Sequence, residues 1–433
     1  MMYLISEERL KQFADIMRSK TGETEECSLE EIKNKLESVR TENDCLLLVL
    51  CSTLFMGRND LTTIPQLDTR SVTDMNRMFA SCSSLTTIPQ LDTSSVTNMS
   101  SMFSYCSSLT TIPQLDTSSV TNMNGMFTEC TSLTNIPQLD TSSVTDIGAM
   151  LLNCSKLTTI PKLETSSVIN MESMFSGCSN LITIPQLDTS SVTDMSGTFA
   201  SCSSLTTIPK LDTSSVTTMG SMFNSCSSLT TIPQLDTSSV TNMSNMFRDC
   251  KSLATIPQLD TSSVTNMYYM FNKCSSLTTI PQLDTRSVTN MTNMFTGCSS
   301  LTTIPQLDMR SAAKVNGMFD ECTSLTNLYL KNIKDSLRIG SGTSYGHLLT
   351  VDSLLYIIKE LVSTGFTKIL TMGTANTAKL SNTYVKLIDI TDEMRAEDDL
   401  IDSKMPFEVC ESTEEGALAI LTDYVALKYW SIK

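Results

Sequence analysis

Apolar residues recur along most of this chain at a fixed period of 24 residues, and a period of that length marks a solenoid. One copy reads Leu109-Thr-Thr-Ile-Pro-Gln-Leu-Asp-Thr-Ser-Ser-Val-Thr-Asn-Met-Asn-Gly-Met-Phe-Thr-Glu-Cys-Thr-Ser132. Eleven full copies run from Leu61 to Ser324, and a twelfth begins at Leu325 and dissolves. With the leading Leu as position 1, the apolar positions are 1, 4, 7, 12, 15, 18, 19 and 22 (Leu109, Ile112, Leu115, Val120, Met123, Met126, Phe127 and Cys130). Leu109 and Ile112 flank a brief extended run whose Thr110 and Thr111 face outward, and Pro113, lacking a ladder donor, should end it. Val120, Met123, Phe127 and Cys130 have the spacing of one face of a short helix. The pattern thus predicts an α/β repeat: each coil a short parallel strand, a corner and a short helical or 3₁₀ return. A single coil cannot stand alone; stacking must supply the rest of its stability.

The margins depart from the period. Leu10, Phe13 and Met17 form one apolar stripe; Ser28-Leu-Glu-Glu31 is a capping box opening a second stripe through Leu29, Ile32, Leu36 and Val39. Residues 1–50 therefore read as a helical hairpin that caps the solenoid or docks it to an assembly. The repeat occupies 51–327, with Phe55 already in the Phe slot and Arg58 where Cys should stand. Residues 328–433 read as a small α/β capping module. Its predicted elements are a helix over Val351–Val362, strands at Lys368–Gly373 and Phe407–Cys410, a helix through Leu418, Leu421, Tyr424 and Val425, and a last strand at Tyr429–Ile432.

Charge and cysteine usage narrow the function. A net charge of −16 argues against nucleic acid and against an anionic membrane surface. The run Cys45–Cys51 is too short to cross a bilayer, and no basic start leads into an apolar signal core, so neither membrane insertion nor Sec export is expected. Of the fifteen cysteines, eleven fall at position 22, on the apolar face, which reads as a column of reduced core thiols. No Cys/His spacing suits zinc, and the lone His347 lies in a Gly/Ser-rich stretch. Carboxylates recur at position 8. Calcium is one reading of such a column, but the Thr-Ser-Ser that follows favours Asx-turn capping, so no metal and no cofactor are expected. No catalytic constellation is found. The Thr pairs at positions 2 and 3 invite comparison with ice-binding arrays, but adjacent residues do not share a strand face.

Copies differ from one another mainly at positions 16, 17, 20 and 21, which a helix would place opposite the Met/Phe/Cys stripe. Arg248, Tyr268, Tyr269 and Lys273 stand there on consecutive coils, and Tyr105 is another aromatic at such a position. Exposed tyrosines beside cationic side chains suit sugar rings and acidic glycans, which makes these five the candidate binding residues. Drift on a solvated face is the alternative.

The unit Leu-x-x-Ile-Pro-x-Leu-Asp-Thr-Ser-x-Val-Thr-x-Met-x-x-Met-Phe-x-x-Cys-x-x closely resembles the repeat of BspA-type leucine-rich-repeat surface proteins. That resemblance implies a leucine-rich-repeat-like solenoid used for adhesion. Phe13-Ala-Asp-Ile-Met-Arg-Ser-Lys-Thr-Gly-Glu-Thr24 with Ser28–Leu36 resembles a helical segment near the start of many bacteriophage structural proteins. The module Leu354–Ile358 with Lys368–Gly373 resembles the closing segment after such repeats in phage tail-type proteins. Together they imply a non-enzymatic virion component, a tail or head fibre or receptor-binding protein, assembled in the host cytoplasm. It would contact a host cell-surface glycan or protein, attach through its N-terminal helices and be compatible with a homo-oligomer. A bacterial cell-surface adhesin and a glycan-acting enzyme are the rival readings.

Overall fold

The computed structural model describes residues 55–333 apart from Pro65 and Asp68, and beyond them residues 337–339, 349–350, 353, 356–357, 368–372, 384–387, 407–410, 418–419 and 430–432. The predicted N-terminal hairpin and His347 lie outside the described residues.

The coils stack in the predicted register. The apolar positions are buried in every copy, with slight exposure only at the first coil's Leu67 and at Ile184. The Phe column forms a stack from Phe55 to Phe319, ring centroids 5.3 to 6.2 Å apart, interrupted where Leu151 replaces Phe. Phe55 thus fills the Phe slot as the sequence indicates, and Arg58 pairs with Asp60 at 2.7 Å. Position 9 adds a buried column that the polar letter Thr conceals. Thr93, Thr141 and Thr237 are at most 2% exposed, and each donates its Oγ1 to the position-8 carbonyl of the next coil at 2.7–2.8 Å.

The helical return is not observed. Positions 15 to 25 run as consecutive tight turns: Met78 N–H donates to Met75 O, Ala80 to Arg77, Cys82 to Phe79 and Leu85 to Cys82. The alternate N–H groups point along the stack, with Met75, Arg77, Phe79 and Ser81 donating to Asn98, Ser100, Met102 and Ser104. Positions 17 and 21 take positive φ in every coil, as at Arg77 (54°) and Ser81 (61°). A helix would consume each N–H internally and leave none to tie coil to coil. Turns satisfy half inside and half between coils, and a short run of Ser, Thr, Asn and Gly has little helical propensity to resist them. Position-14 Asn or Asp completes the pattern by capping position 16, as Asn98 Oδ1 does for Ser100 N–H at 3.0 Å.

Regular strand is scarce as well. In most coils the stretch from position 1 to 8 carries isolated inter-coil bonds, such as Thr86 N–H to Thr62 O at 3.0 Å. Proline at position 5 removes a donor, and side chains substitute. Gln90 Nε2, for example, donates to Gln114 O at 2.6 Å. Among the described residues of the repeat, regular strand forms only at the far end, where β1 (Thr303–Asp308) pairs in parallel with β2 (Asn327–Lys331). The twelfth copy carries Tyr329 in place of proline, so its backbone can enter a ladder. The register still shifts between Ile304 and Leu307, around Pro305. Proline therefore interrupts the pairing, and β1 does not stop there as predicted. Ser353 Oγ then accepts Leu328 N–H at 3.1 Å, and Tyr356 packs edge-on against Tyr329 at 5.4 Å, closing that end of the stack.

Beyond it, β3 (Leu337–Ile339), β4 (Lys368–Met372) and β8 (Trp430–Ile432) form a parallel sheet in the order β3-β4-β8. A second, antiparallel sheet has β5 (Tyr384–Leu387) between β6 (Phe407–Cys410) and β7 (Leu418–Ala419). Ser353, Tyr356 and Ile357 are helical, in keeping with the predicted helix. The helix predicted through Leu418, Leu421, Tyr424 and Val425 is corrected at its start, where Leu418 and Ala419 pair with Val385 and Tyr384 instead; Leu421, Tyr424 and Val425 lie outside the described residues.

Candidate recognition surface

The turn half is joined coil to coil chiefly through backbone, and some side chains at positions 16, 20 and 21 add bonds of their own, such as Thr128 Oγ1 to Ala149 O at 2.8 Å and Asn153 Nδ2 to Glu129 Oε1 at 2.6 Å. Positions 16, 17 and 21 are mostly half-buried or exposed, whereas several position-20 side chains, among them Ala80, Ser104, Thr128 and Asn272, are buried. Tyr269 sits at position 17 with φ 57° and Lys273 at position 21 with φ 61°, conformations that favour Gly or Asn and cost a bulky residue about 1 kcal/mol each.

The structure brings Arg248, Tyr268 and Tyr269 together, with Lys273 four residues beyond Tyr269 on the same coil. Asn245 N–H donates to Tyr268 O at 2.8 Å and Asp249 N–H to Asn272 O at 2.8 Å, locking the two coils side by side. The Tyr268 and Tyr269 rings meet edge-on with centroids 4.2 Å apart, and the Arg248 guanidinium lies 5.1 Å from the Tyr269 centroid, within cation–π range. Partial burial holds the Tyr268 phenol above its ordinary pKa, with Tyr269 adding to the shift, so it is a neutral donor at physiological pH. Arg248 Nε is 3.5 Å from Asp249 Oδ2, an ion pair too long and poorly aligned for a hydrogen bond. Tyr105, 56% exposed, stands seven coils away by the 24-residue count and does not join this cluster.

Two members were not singled out by sequence reasoning as ligand groups. Asn272 is 3% exposed; its Nδ2 donates to Thr296 O at 3.3 Å, while its Oδ1 has no partner among the described residues. Asn245 Oδ1 is likewise buried and unpartnered, as is Arg248 Nε. A buried polar atom left unmatched costs about 1–3 kcal/mol, and only the coordinates could show which amides are left over.

The other columns are committed elsewhere. Asp116 Oδ1 accepts from Ser118 N–H at 3.1 Å and from Ser118 Oγ at 2.7 Å, and those Ser118 bonds hold its pKa below the usual carboxylate value. The same holds for Asp140, Asp188, Asp212, Asp236 and Asp260 with their serines. Capping, as the Thr-Ser-Ser context suggests, is their observed role. Among the described residues no group of three or more His, Cys, Asp or Glu is placed to hold a metal ion. The eleven position-22 cysteines are buried thiols that donate to the position-19 carbonyl of the preceding coil, as Cys106 Sγ does to Phe79 O at 3.1 Å. Burial pushes the Cys130 and Cys178 thiols up to about 12, so they stay protonated and inert. No helix of the described residues is long and apolar enough to cross a membrane.

A family model described as Mycoplasma protein of unknown function, DUF285, matches residues 50–159, 153–253, 180–278 and 230–333, together well over half of the chain. The chain belongs to that family. No curated protein matches it in sequence. Among solved structures, this DUF285 chain is similar to a leucine-rich repeat protein from Bacteroides ovatus, at 20% identity and a TM-score of 0.36, covering 75% of this chain and 82% of that one. A leucine-rich repeat protein from Eubacterium ventriosum gives 16% identity and a TM-score of 0.38, over 68% of this chain and 84% of its own. The functional domain of InlJ from Listeria monocytogenes, described as including a cysteine ladder, gives 17% and 0.23, covering 80% of each chain. TM-scores this low carry no weight for function; the coil geometry of the DUF285 chain stands on its own.

Proposed function

We propose that this chain is a non-enzymatic recognition rod whose turn strip, centred on Arg248, Tyr268, Tyr269 and Lys273, contacts a cell-surface glycan or protein. The observation that carries the reading is the cluster of Arg248, Tyr268 and Tyr269 on adjacent coils, residue types that no other pair of coils places together at these positions. Six of the position-8 carboxylates, Asp116, Asp140, Asp188, Asp212, Asp236 and Asp260, are tied to their serines with the pKa lowered, which suits a cap and not a general acid. Purified chain should bind intact bacteria or envelope preparations saturably. Non-saturable or absent binding across a broad panel of surfaces would overturn the recognition reading.

Within that reading we place the chain in a phage virion, on the resemblance of residues 13–36 to a phage structural segment. The second reading, a bacterial cell-surface adhesin, is favoured by the family's description as a Mycoplasma protein. Immunogold labelling separates them: gold on particle tails or heads supports the first, gold on intact cell envelopes the second.

A further inference from the structure

We infer that Asn316 is a site of self-modification: the Gly317 nitrogen displaces its side-chain amide, and the succinimide so formed opens with water to aspartate and isoaspartate. This chemistry is independent of the recognition surface and belongs to the far end of the stack.

Asparagine followed by glycine is the pair most open to the reaction, because glycine places no side chain in the path of its own nitrogen. The chain contains two such pairs, Asn124-Gly125 and Asn316-Gly317. Both occupy positions 16 and 17, with Gly φ at 62° and 66°. Local sequence therefore does not separate them; their surroundings do.

Attack on Cγ requires the Asn–Gly peptide to rotate out of the turn until its nitrogen faces the side chain, so every bond that holds the pair opposes it. Asn124-Gly125 is clamped by both neighbouring coils: Gly125 N–H donates to Gly148 O at 2.8 Å, and Asn124 O accepts from Ser101 N–H at 2.8 Å. Asn122 Oδ1 caps Asn124 N–H at 2.9 Å, and Asn124 Nδ2 donates to Asp146 Oδ1 at 3.1 Å. Asn316-Gly317 lies in the last full coil and keeps one bond of this set, Asn293 N–H to Asn316 O at 2.9 Å. Among the described residues neither Gly317 N–H nor the Asn316 side-chain amide has a hydrogen-bond partner. Position 14 of this coil is Lys314, which offers no acceptor where most copies carry a capping Asn or Asp. Asn316 is also exposed, whereas Asn124 is half-buried and Gly125 buried, so water reaches the far-end pair more readily.

The step needs no reagent besides water. The Gly317 amide loses its proton to solvent, the N–Cγ bond forms, and the Cγ–Nδ2 bond breaks to release ammonia. Water then adds to either succinimide carbonyl. One opening restores the ordinary backbone as aspartate; the other leaves Cβ in the main chain as isoaspartate. Both products add a negative charge two residues from Lys314.

The test is incubation of the full chain at mildly alkaline pH, with peptide mass spectrometry reading amide-to-acid conversion and enzymatic methyl transfer marking isoaspartate. In the folded chain Asn316 should convert roughly tenfold to a hundredfold faster than Asn124, in line with the loss of several net hydrogen bonds. In denaturant the two sites should convert at similar rates. Lys314→Asn restores the residue type most copies carry and should slow Asn316 severalfold. Asn316→Ser, matching Ser100 in another copy, should abolish conversion there with an unchanged unfolding midpoint. Equal rates at the two sites in the folded chain overturn the inference, as does conversion at neither while the unfolded chain converts at both. An unaltered rate in Lys314→Asn overturns the part assigned to the missing cap.

Discussion

The two halves of each coil solve the same stacking problem with different atoms. From position 1 to 11 the coils are joined mainly by side chains: Gln90 Nε2 and Thr93 Oγ1 each reach the next coil's backbone, at 2.6 and 2.7 Å. From position 13 to 21 backbone N–H groups do this work directly, as at Thr97, Met99, Ser101, Phe103 and Tyr105. This difference accounts for where the copies vary. A side chain that is itself the inter-coil bond cannot change without breaking it, so Gln at position 6 and Thr at position 9 repeat almost unaltered. Where backbone makes most of the inter-coil bonds, side chains change more readily, so positions 16, 17, 20 and 21 drift or are recruited for contact.

The largest test removes coils. Stability in such a stack is a sum over nearest neighbours, so deleting the 24 residues Leu205–Ser228 keeps every column aligned and should shorten the rod without unfolding it. Deleting 20 residues at the same place offsets both kinds of bond at once and should abolish cooperative unfolding measured by circular dichroism. Equal melting of the two deletions would refute the register.

A smaller test asks whether the halves differ in tolerance. Thr141→Val keeps the volume but removes the bond to Glu164 O, and should cost about 1–2 kcal/mol in denaturant unfolding. Ser221→Asn on the turn strip should change stability by no more than about 0.5 kcal/mol. If the two costs are alike, side-chain bonding does not distinguish the halves.

Much of this contrast was legible in the sequence and part of it was not. The columns of Leu, Ile, Val, Met, Phe and Cys, the slot at Phe55 and the capping role of the position-8 carboxylates follow from period and local chemistry. The return did not, because buried residues at positions 15, 18, 19 and 22 fit a helix and a run of tight turns equally well; only the direction of alternate N–H groups separates them. Thr141 escaped because a buried hydroxyl and an exposed one share a letter. At the candidate site Tyr268, Tyr269 and Arg248 announced themselves by type, whereas Asn245 and Asn272 became visible only once their amide oxygens were seen to lack partners. Tyr105, grouped with them by residue type, is separated from them by the length of the stack.

Acid probes the caps of the side-chain half. Serine bonds lower the pKa of Asp140, Asp188 and Asp236 in the folded chain, so their contribution is complete above the unfolded value of 3.8 and fades as pH falls through the folded one. Replacing all three by Asn keeps an acceptor but removes the titration. The variant should lose stability less steeply than the parent below about pH 4, as followed by unfolding midpoint. An unchanged slope would mean that these caps are not what acid attacks.

The smallest effect decides what the turn half is. Arg77 is exposed at position 17 with φ 54°, and none of the inter-coil bonds uses its side chain. On a helical return, as the apolar spacing predicts, Arg77→Asn would be unfavourable by about 0.5 kcal/mol, since arginine is the better helix former. In left-handed backbone the order reverses: asparagine is several-fold enriched there, and relief of part of the roughly 1–2 kcal/mol strain should stabilise the chain by about 0.5 kcal/mol. The same substitution therefore changes sign between the two architectures. A raised unfolding midpoint supports paired turns with backbone bonds between coils, and a lowered one would restore the helix and with it a different outer face for the rod.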